Sequence, residues 1–578
     1  MQDETGPPDS GDSIEFGKRL VRAHGQGGLS LGERLANRFY RLTWRTPLHA
    51  LRLRGRYPLK LLTVPDDPLT GDADRGRLLI AGQFSFRTER LNVASCNFSD
   101  PGLSPSFQEY LHSFGWLRDL AAAGTRAETA PIAEGVTRLW LETYAETVTD
   151  TAWRGDILGR RILHWASHSP LILSSTDIVY RSAVLNAFAR GARHLDRIAD
   201  RTPAGVRRVM AWSGIVGSGL LMPGGEPRRA FGEAGLETAI SSAFSSDGGT
   251  LCRAPQNLID IIETLSMLQS VYDARRLSAP IILAQTLNSA IPALLGVTMG
   301  DGTLGCWQGS GAILKSEVDA VIAASGVRSR PLRHARDWGY QRLQAGQSVL
   351  VMDAAPPPVS RVGQGGCAST LAFELSDGPH RMVVNCGGAR VGGVTISPSL
   401  GNGLRTTAAH STLTLADSNS TAIHSDGSLG KGVREVELDR KESESGSRIE
   451  ANHDGYARRF GLIHRRSLTM SPDGREIRCD DSLVPTPTRR KRAVAAFAIR
   501  FHLGTEIEPS PTADGLGALL RISHGALWQF RCNGGSLSID DSIWVDGDGR
   551  IHPTRQLVVS GEAPPGGAAV SWILRRAG

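Results

Sequence analysis

From about residue 104 to 297, apolar residues return every three and four positions, the period of helices that bury one face. The segments FQEYLHSFGWLRDLAAAG, GVTRLWLETYAETV, GDILGRRILHWASHSP, IVYRSAVLNAFARGARHLDRIAD, AGVRRVMAWSGIVGSGLLMPGG, EPRRAFGEAGLETAISSAFSSDGG and PQNLIDIIETLSMLQSVYDARRL follow one another with short breaks at Gly, Pro, Asp and Ser. Seven or more helices in series are therefore predicted. The apolar stretch 279–297 reads as a further buried helix pair, because Gln285, Asn288, Ser289 and Pro292 interrupt it and would be costly at bilayer depth. After Met299 the glycines of GDGTLGCWQGSGA mark a loop. From about Leu332 the pattern becomes alternating and is punctuated by DG, PDG and NGG turns, which predicts antiparallel hairpins with one buried and one wet face. Leu371, Phe373 and Leu375 share such a face, and Leu527 and Phe530 lie near Leu537 and Ile539 across the last turn.

Ahead of the helices, residues 14–60 place many Arg among Leu and Tyr, the pattern of a basic amphipathic helix packed along the main body. Residues 57–100 turn to short strands, with an accessory hairpin in LLIAGQFSFRTERLNVASCNF. Three parts follow: an N-terminal extension (1–100), a helical domain (101–330) and a strand domain (331–578). Helices first and strands second make this an α+β multidomain chain, consistent with 578 residues being too many for one core. Trp116, Trp140, Trp153, Trp165 and Trp212 recur along the helices and are assigned to the core rather than to a sugar platform.

Composition narrows the chemistry. Only 6 of the 65 basic residues are Lys, so Arg supplies nearly all the positive charge, and Arg suits planar recognition of carboxylate or sulfate. The seven Cys form neither a CxxC pair nor a dense pattern, which excludes a Cys-type metal cluster and a disulfide scaffold. The N-terminal MQDETGPPDSGDSIEF is acidic and lacks the apolar run of a secretory signal. GDGTLG matches GxGxxG without a strand leading into it, GxxxxGK[ST] and HExxH are absent, and GLSLG around Ser30 lacks the strand of a nucleophile elbow.

The stretch GNGLRTTAAHSTLTL is the most suggestive for a site. A strand starting at Ala408 would set His410 beside a Gly-rich loop where a ligand can approach closely, with Arg405 next to it. In ANHDGYARRFGLIHRRSL, His453, Asp454, Tyr456, Arg458 and Arg459 crowd a single turn that could bind an anion or complete a metal site. Tyr340, in RDWGYQRLQAG, enters the first strand of the second domain.

These stretches, with NHDGYARRFGLIHRRSLTMSPDG, the FAIRFHLG strand, WGYQRLQAGQSVLVMDA and GDGTLGCWQGSG, resemble the heparinase II/III family of polysaccharide lyases over roughly residues 100–570. The resemblance implies an N-terminal incomplete (α/α) toroid, a C-terminal antiparallel β-sandwich and an active site in the groove between them. It implies β-elimination on a uronic-acid-containing polysaccharide. Such a site must neutralise the carboxylate, remove the neighbouring proton and protonate the departing oxygen; Asn, His or Arg serve the first task and His or Tyr the others. His410 falls at the family's sandwich histidine. The family's Asn-His pair is not matched on YRSAVLNAFARGARHLDR, where Asn186 and His194 stand apart, and DGGTLCRAPQN places Asn257 where the family has a tyrosine. The expected site is thus His410, Tyr340 and Asn257 for catalysis, with Arg405, Arg190, Arg193, Arg253 and His453 for binding. No cofactor is required, although some members hold a sandwich zinc for which His410, Asp417 and His453 offer donors. The expected partner is an acidic polysaccharide, not nucleic acid, and no transmembrane segment is expected. The family points to periplasm or cell envelope, with the cytoplasm as the alternative because no signal peptide is seen. A binding or assembly protein on the same scaffold is the competing function. A glycoside hydrolase is the third, and would need two paired carboxylates among residues such as Glu142, Glu146, Glu233 and Glu237.

Overall fold

The computed structural model describes residues 19–22, 43–44, 46–149, 151–358, 365–389, 396–487 and 494–577. Much of the predicted N-terminal amphipathic helix lies outside them. Within them, the extension supplies a strand, Arg19–Arg22, which joins the edge of a C-terminal sheet by pairing antiparallel with residues 435–438. It also supplies a short helix, Pro47–Arg52, a helix Ala73–Ile80 that the alternation did not announce, and the expected hairpin of Gln83–Phe86 with Glu89–Asn92.

The helical domain runs through Pro105–Ser113, Trp116–Ala123, Arg126–Tyr144, Gly155–Ser167, Ile178–Ile198, Val206–Leu221, Glu226–Ser241, Gln256–Ala274, Ile281–Gly296 and Lys315–Ser325. Helix Val206–Leu221 is its centre. It is apolar nearly all round and packs against its sequence neighbours on both sides and against Gly155–Ser167 and Gln256–Ala274. Small residues permit that closeness: a Cβ on Gly214 would stand 2.5 Å from the Cα of Gly159. The five tryptophans named above are buried in this core. Two predicted boundaries differ. The segment 107–124 is two helices rather than one, because Phe114 takes a left-handed conformation (φ 63°) and ends the first. The stretch 279–297 is one helix rather than a pair, running through Pro292.

The C-terminal domain is a sandwich of two antiparallel sheets. The first orders its strands Arg19–Arg22, Glu435–Ser443, Gly446–His453, Leu462–Met470, Glu476–Pro485, Ala568–Arg576, Leu527–Asn533, Gly517–Ile522 and Ile507–Pro511. The second orders Ser536–Val545, Ile551–Ala563, Ala495–Leu503, His380–Val384, Phe373–Asp377, Ser348–Asp353 and Tyr340–Ala345, with Leu413–Leu415 beside Ala495–Leu503. Phe373, Phe501, Phe530 and Trp572 stack between the sheets, so alternation along each strand is what builds the core. Among the described residues no helix is long and apolar enough to cross a membrane.

Candidate functional site

A groove of about 700 Å³ opens between the helical domain and the end of the sandwich, where Ala389 and Asp548 reach it. Its polar lining comes from the extension (Asp72, Arg75, Arg87) and from helices that each contribute one charged side chain or more, among them Arg118, Arg160, Arg207 and Glu263. Nearly every cation is already matched. Arg118 donates to both oxygens of Asp67 at 2.8 and 3.0 Å and to Glu263 at 2.7 Å. Arg160 reaches the other Glu263 oxygen at 3.2 Å. Arg207 faces Asp156 at 3.5 Å and Glu109 at 3.9 Å, and Arg75 holds Asp72 at 2.9 Å. Burial alone would raise the Glu263 carboxyl, but Arg160 and Arg118 outweigh it and bring it to about 2. The groove is therefore a mosaic of fixed ion pairs that can hydrogen-bond hydroxyls and carboxylates. Among the described residues its lining holds no histidine and one tyrosine, Tyr110, which donates to Asp119 at 2.7 Å; burial and that carboxylate push its phenol well above the ordinary range. Sequence reasoning missed these arginines. Their signal was a charge inside an apolar helical stripe, as in GDILGRRILHW and WLRDLAAA.

Of the residues named from sequence, Arg253, Tyr340, Asn257 and His410 gather around Asp353 and Cys252, while Arg190, Arg193 and His453 lie elsewhere. Arg253 and Tyr340 are brought together at the junction of the two domains. The Tyr340 hydroxyl donates to the Arg253 carbonyl at 2.6 Å, and the guanidinium sits 4.8 Å from the ring centroid. That guanidinium donates to the carbonyls of Trp338 (2.8 Å), Pro356 (2.9 Å) and Ala355 (3.3 Å) and pairs with buried Asp353. Burial holds the Tyr340 phenol well above its usual pKa, although Arg253 opposes the effect.

Asn257 opens helix Gln256–Ala274 and donates to the Cys252 sulfur at 2.9 Å. His410, 1% exposed, engages the Thr406 carbonyl through Nδ1 at 2.7 Å, and burial lowers its pKa despite that contact. Arg405 folds back onto the Gly366 carbonyl with Nε and Nη2 (2.9 and 2.7 Å).

Arg190 and Arg193 lie on helix Ile178–Ile198 and bind backbone: Arg190 the Glu146 carbonyl at 3.1 Å, Arg193 the carbonyls of Leu53 (2.9 Å) and Arg56. Between them and the core, His194 meets His49 Nε2 at 3.0 Å, so the short N-terminal helix closes over this face. Burial, then His49, brings the His194 pKa down to about 3.

His453 ends its strand and accepts from Gly455 N at 3.1 Å, its ring centroid 5.3 Å from that of His464. His410, Asp417 and His453 do not gather into a donor set, so the residues do not fit a sandwich zinc. Among the described residues, the one group of His, Cys, Asp or Glu close enough to share a metal is Asp67, His164 and His168, in the helical domain.

The profile of the heparinase II/III-like C-terminal domain matches residues 327–573, which hold nearly all of the sandwich but not its edge strand Arg19–Arg22. Residues 327–573 belong to the heparinase II/III-like C-terminal domain family. The solved heparinase III structure superposes with a TM-score of 0.68, covering 94% of this chain and 89% of that one at 14% identity. The heparan sulfate lyase HepC from Pedobacter heparinus follows at 0.59, covering 94% and 88% at 15% identity. At these identities the likeness shows the fold: an α toroid followed by a β-sandwich. A relative of more similar sequence is the FtsZ-localized protein C of Caulobacter vibrioides, 26% identical over 553 residues and covering 92% of each chain. The chain thus shares the α toroid and β-sandwich fold of the heparinase III structure, with an ion-paired groove where its two domains meet.

Proposed function

We propose that this chain is a binding and assembly protein of cell division, built on the lyase scaffold, whose groove holds an acidic polysaccharide without cleaving it. The observation that carries this is the state of the residues that elimination would need. The resemblance puts Asn257 at the tyrosine position, and its side-chain amide donates to the Cys252 sulfur. The Tyr340 hydroxyl is spent on a carbonyl, and its raised pKa opposes use as a base. Loss of a general acid or base typically costs about 10²- to 10⁴-fold in rate. Arg190, Arg193, Arg253 and Arg405 act here as backbone clamps, and His453 as packing against His464. The name of the Caulobacter relative supports a place with FtsZ.

Two measurements test the proposal. A fluorescent fusion is expected to gather at the division site together with FtsZ, and protease accessibility of the fusion decides between a periplasmic and a cytoplasmic position. Purified protein mixed with heparin-like, chondroitin-like, alginate and bacterial acidic polysaccharides is expected to bind at least one without a rise in the ultraviolet absorbance of an unsaturated uronate. A rise that disappears in His410→Ala would establish a lyase with a different acid and base instead.

A further inference from the structure

We propose that Asp67, His164 and His168 form a binding site for a divalent transition metal, beneath the floor of the groove. His164 and His168 stand four residues apart at the end of helix Gly155–Ser167, the separation at which two side chains leave one helix face together. Their rings are nearly parallel, 17° apart, with centroids separated by 6.4 Å. Asp67 arrives from the loop ahead of helix Ala73–Ile80. One donor atom from each residue lies within 4.8 Å of the others, and His168 Nε2 is 3.0 Å from Asp67 Oδ2. Tetrahedral zinc, with donors at about 2.0–2.1 Å, sets them roughly 3.3 Å apart. Closing the set therefore takes a movement of about 1–1.5 Å by one imidazole.

His164 is the observation that calls for a ligand. It is fully buried, and neither ring nitrogen has a hydrogen-bond partner. A neutral imidazole has one N–H and one lone pair to satisfy, and leaving both unmade in an interior is costly. A metal takes the lone pair of His164 at the point where His168 and Asp67 converge. Glu263 Oε1, 3.8 Å from His164 Nε2, stands ready as a fourth donor.

The surroundings suit a dication. Arg118 grips both carboxylates, Asp67 and Glu263, and so sets their orientation in the way outer hydrogen bonds orient metal ligands. Asp67, Glu263 and Asp260, which also acts on Arg160, carry three negative charges against the two of Arg118 and Arg160. Two imidazoles and a carboxylate favour zinc, cobalt or nickel over magnesium or calcium. Bound there, the metal ties the Asp67 loop to helix Gly155–Ser167, which carries Arg160, and to helix Gln256–Ala274, which carries Glu263, both in the groove lining.

The test uses tag-free, full-length protein stripped with a chelator and titrated with zinc, with cobalt as the spectroscopic probe. Wild-type protein is expected to bind one zinc per chain and to give the intense visible absorption of tetrahedral cobalt. His164→Ala and His168→Gln should each weaken zinc by roughly 100-fold or more, while His453→Ala in the sandwich binds as wild type. If His164→Ala does not fold, His168→Gln and Asp67→Asn decide by the same readout. Absence of stoichiometric zinc in wild type, or undiminished binding in both His168→Gln and Asp67→Asn, would overturn the site. So would loss confined to His453→Ala.

Discussion

Single residues here do more than their exposure suggests, and Arg253 is the clearest example. It sits in a left-handed conformation (φ 56°) in the loop after the helical domain's hairpin-like turn and donates to four acceptors that all belong to the sandwich side. Removing it leaves Asp353 buried and short of its cation, held only by the Gln308 amide and the Ser369 hydroxyl. Breaking a buried pair from one side typically costs about 3–5 kcal/mol. Arg253→Ala is expected to lose that much in urea unfolding. Arg253→Lys should recover little of it, because an ammonium cannot span four acceptors. A loss below about 1 kcal/mol would mean that the domains are held by apolar contact instead. The identity of Arg253 as a candidate was legible in sequence; its partner was not, since Asp353 lies one hundred residues away.

At the scale of elements, glycine placement decides how tightly the toroid helices meet. Gly135 lies on the exposed side of helix Arg126–Tyr144, and a Cβ added there would meet nothing within 4 Å. Gly159 faces helix Val206–Leu221, and a Cβ there would fall 2.1 Å from the Met210 carbonyl. Helix propensity alone favours Ala over Gly by about 1 kcal/mol at both positions. Overpacking opposes it at the second and typically costs about 1–3 kcal/mol. Gly135→Ala should therefore raise the thermal midpoint and Gly159→Ala lower it. Equal shifts of the same sign would show that the helix pair can separate without penalty. The element pattern was legible because helical and strand periods are local properties of the chain. Its errors fell where one residue overrode the pattern, as Phe114 does by turning left-handed and as Pro292 does by staying inside a helix.

The molecule as a whole should be sensitive to mild acid. His112, His194 and His502 are each brought down to about 3, burial being the largest cause in every case. Folded, they stay neutral; unfolded, they take up protons below about 6.5. The unfolded state then binds more protons between pH 6.5 and 3, so stability is full above that window and falls as pH drops through it. With all three contributing, the slope reaches at most roughly 4 kcal/mol per pH unit. The urea midpoint is expected to decline steadily from pH 7 to pH 5, and replacing His502 with Gln should flatten the decline. A midpoint unchanged over that range would show that these rings are protonated in the fold.

Local periodicity determined the order of helices and strands, the switch between them and the family resemblance carried by stretches such as GNGLRTTAAHST, because each is written in neighbouring residues. Tertiary structure alone decided which candidates meet. Arg118 with Glu263 and His49 with His194 are each 145 residues apart, and no spacing in the chain encodes such partners. The same holds for burial: Tyr340 and Arg253 read as reactive groups along the sequence, and the packing of the two domains turned their polar atoms toward backbone carbonyls, whereas His410 engages the Thr406 carbonyl of its own segment.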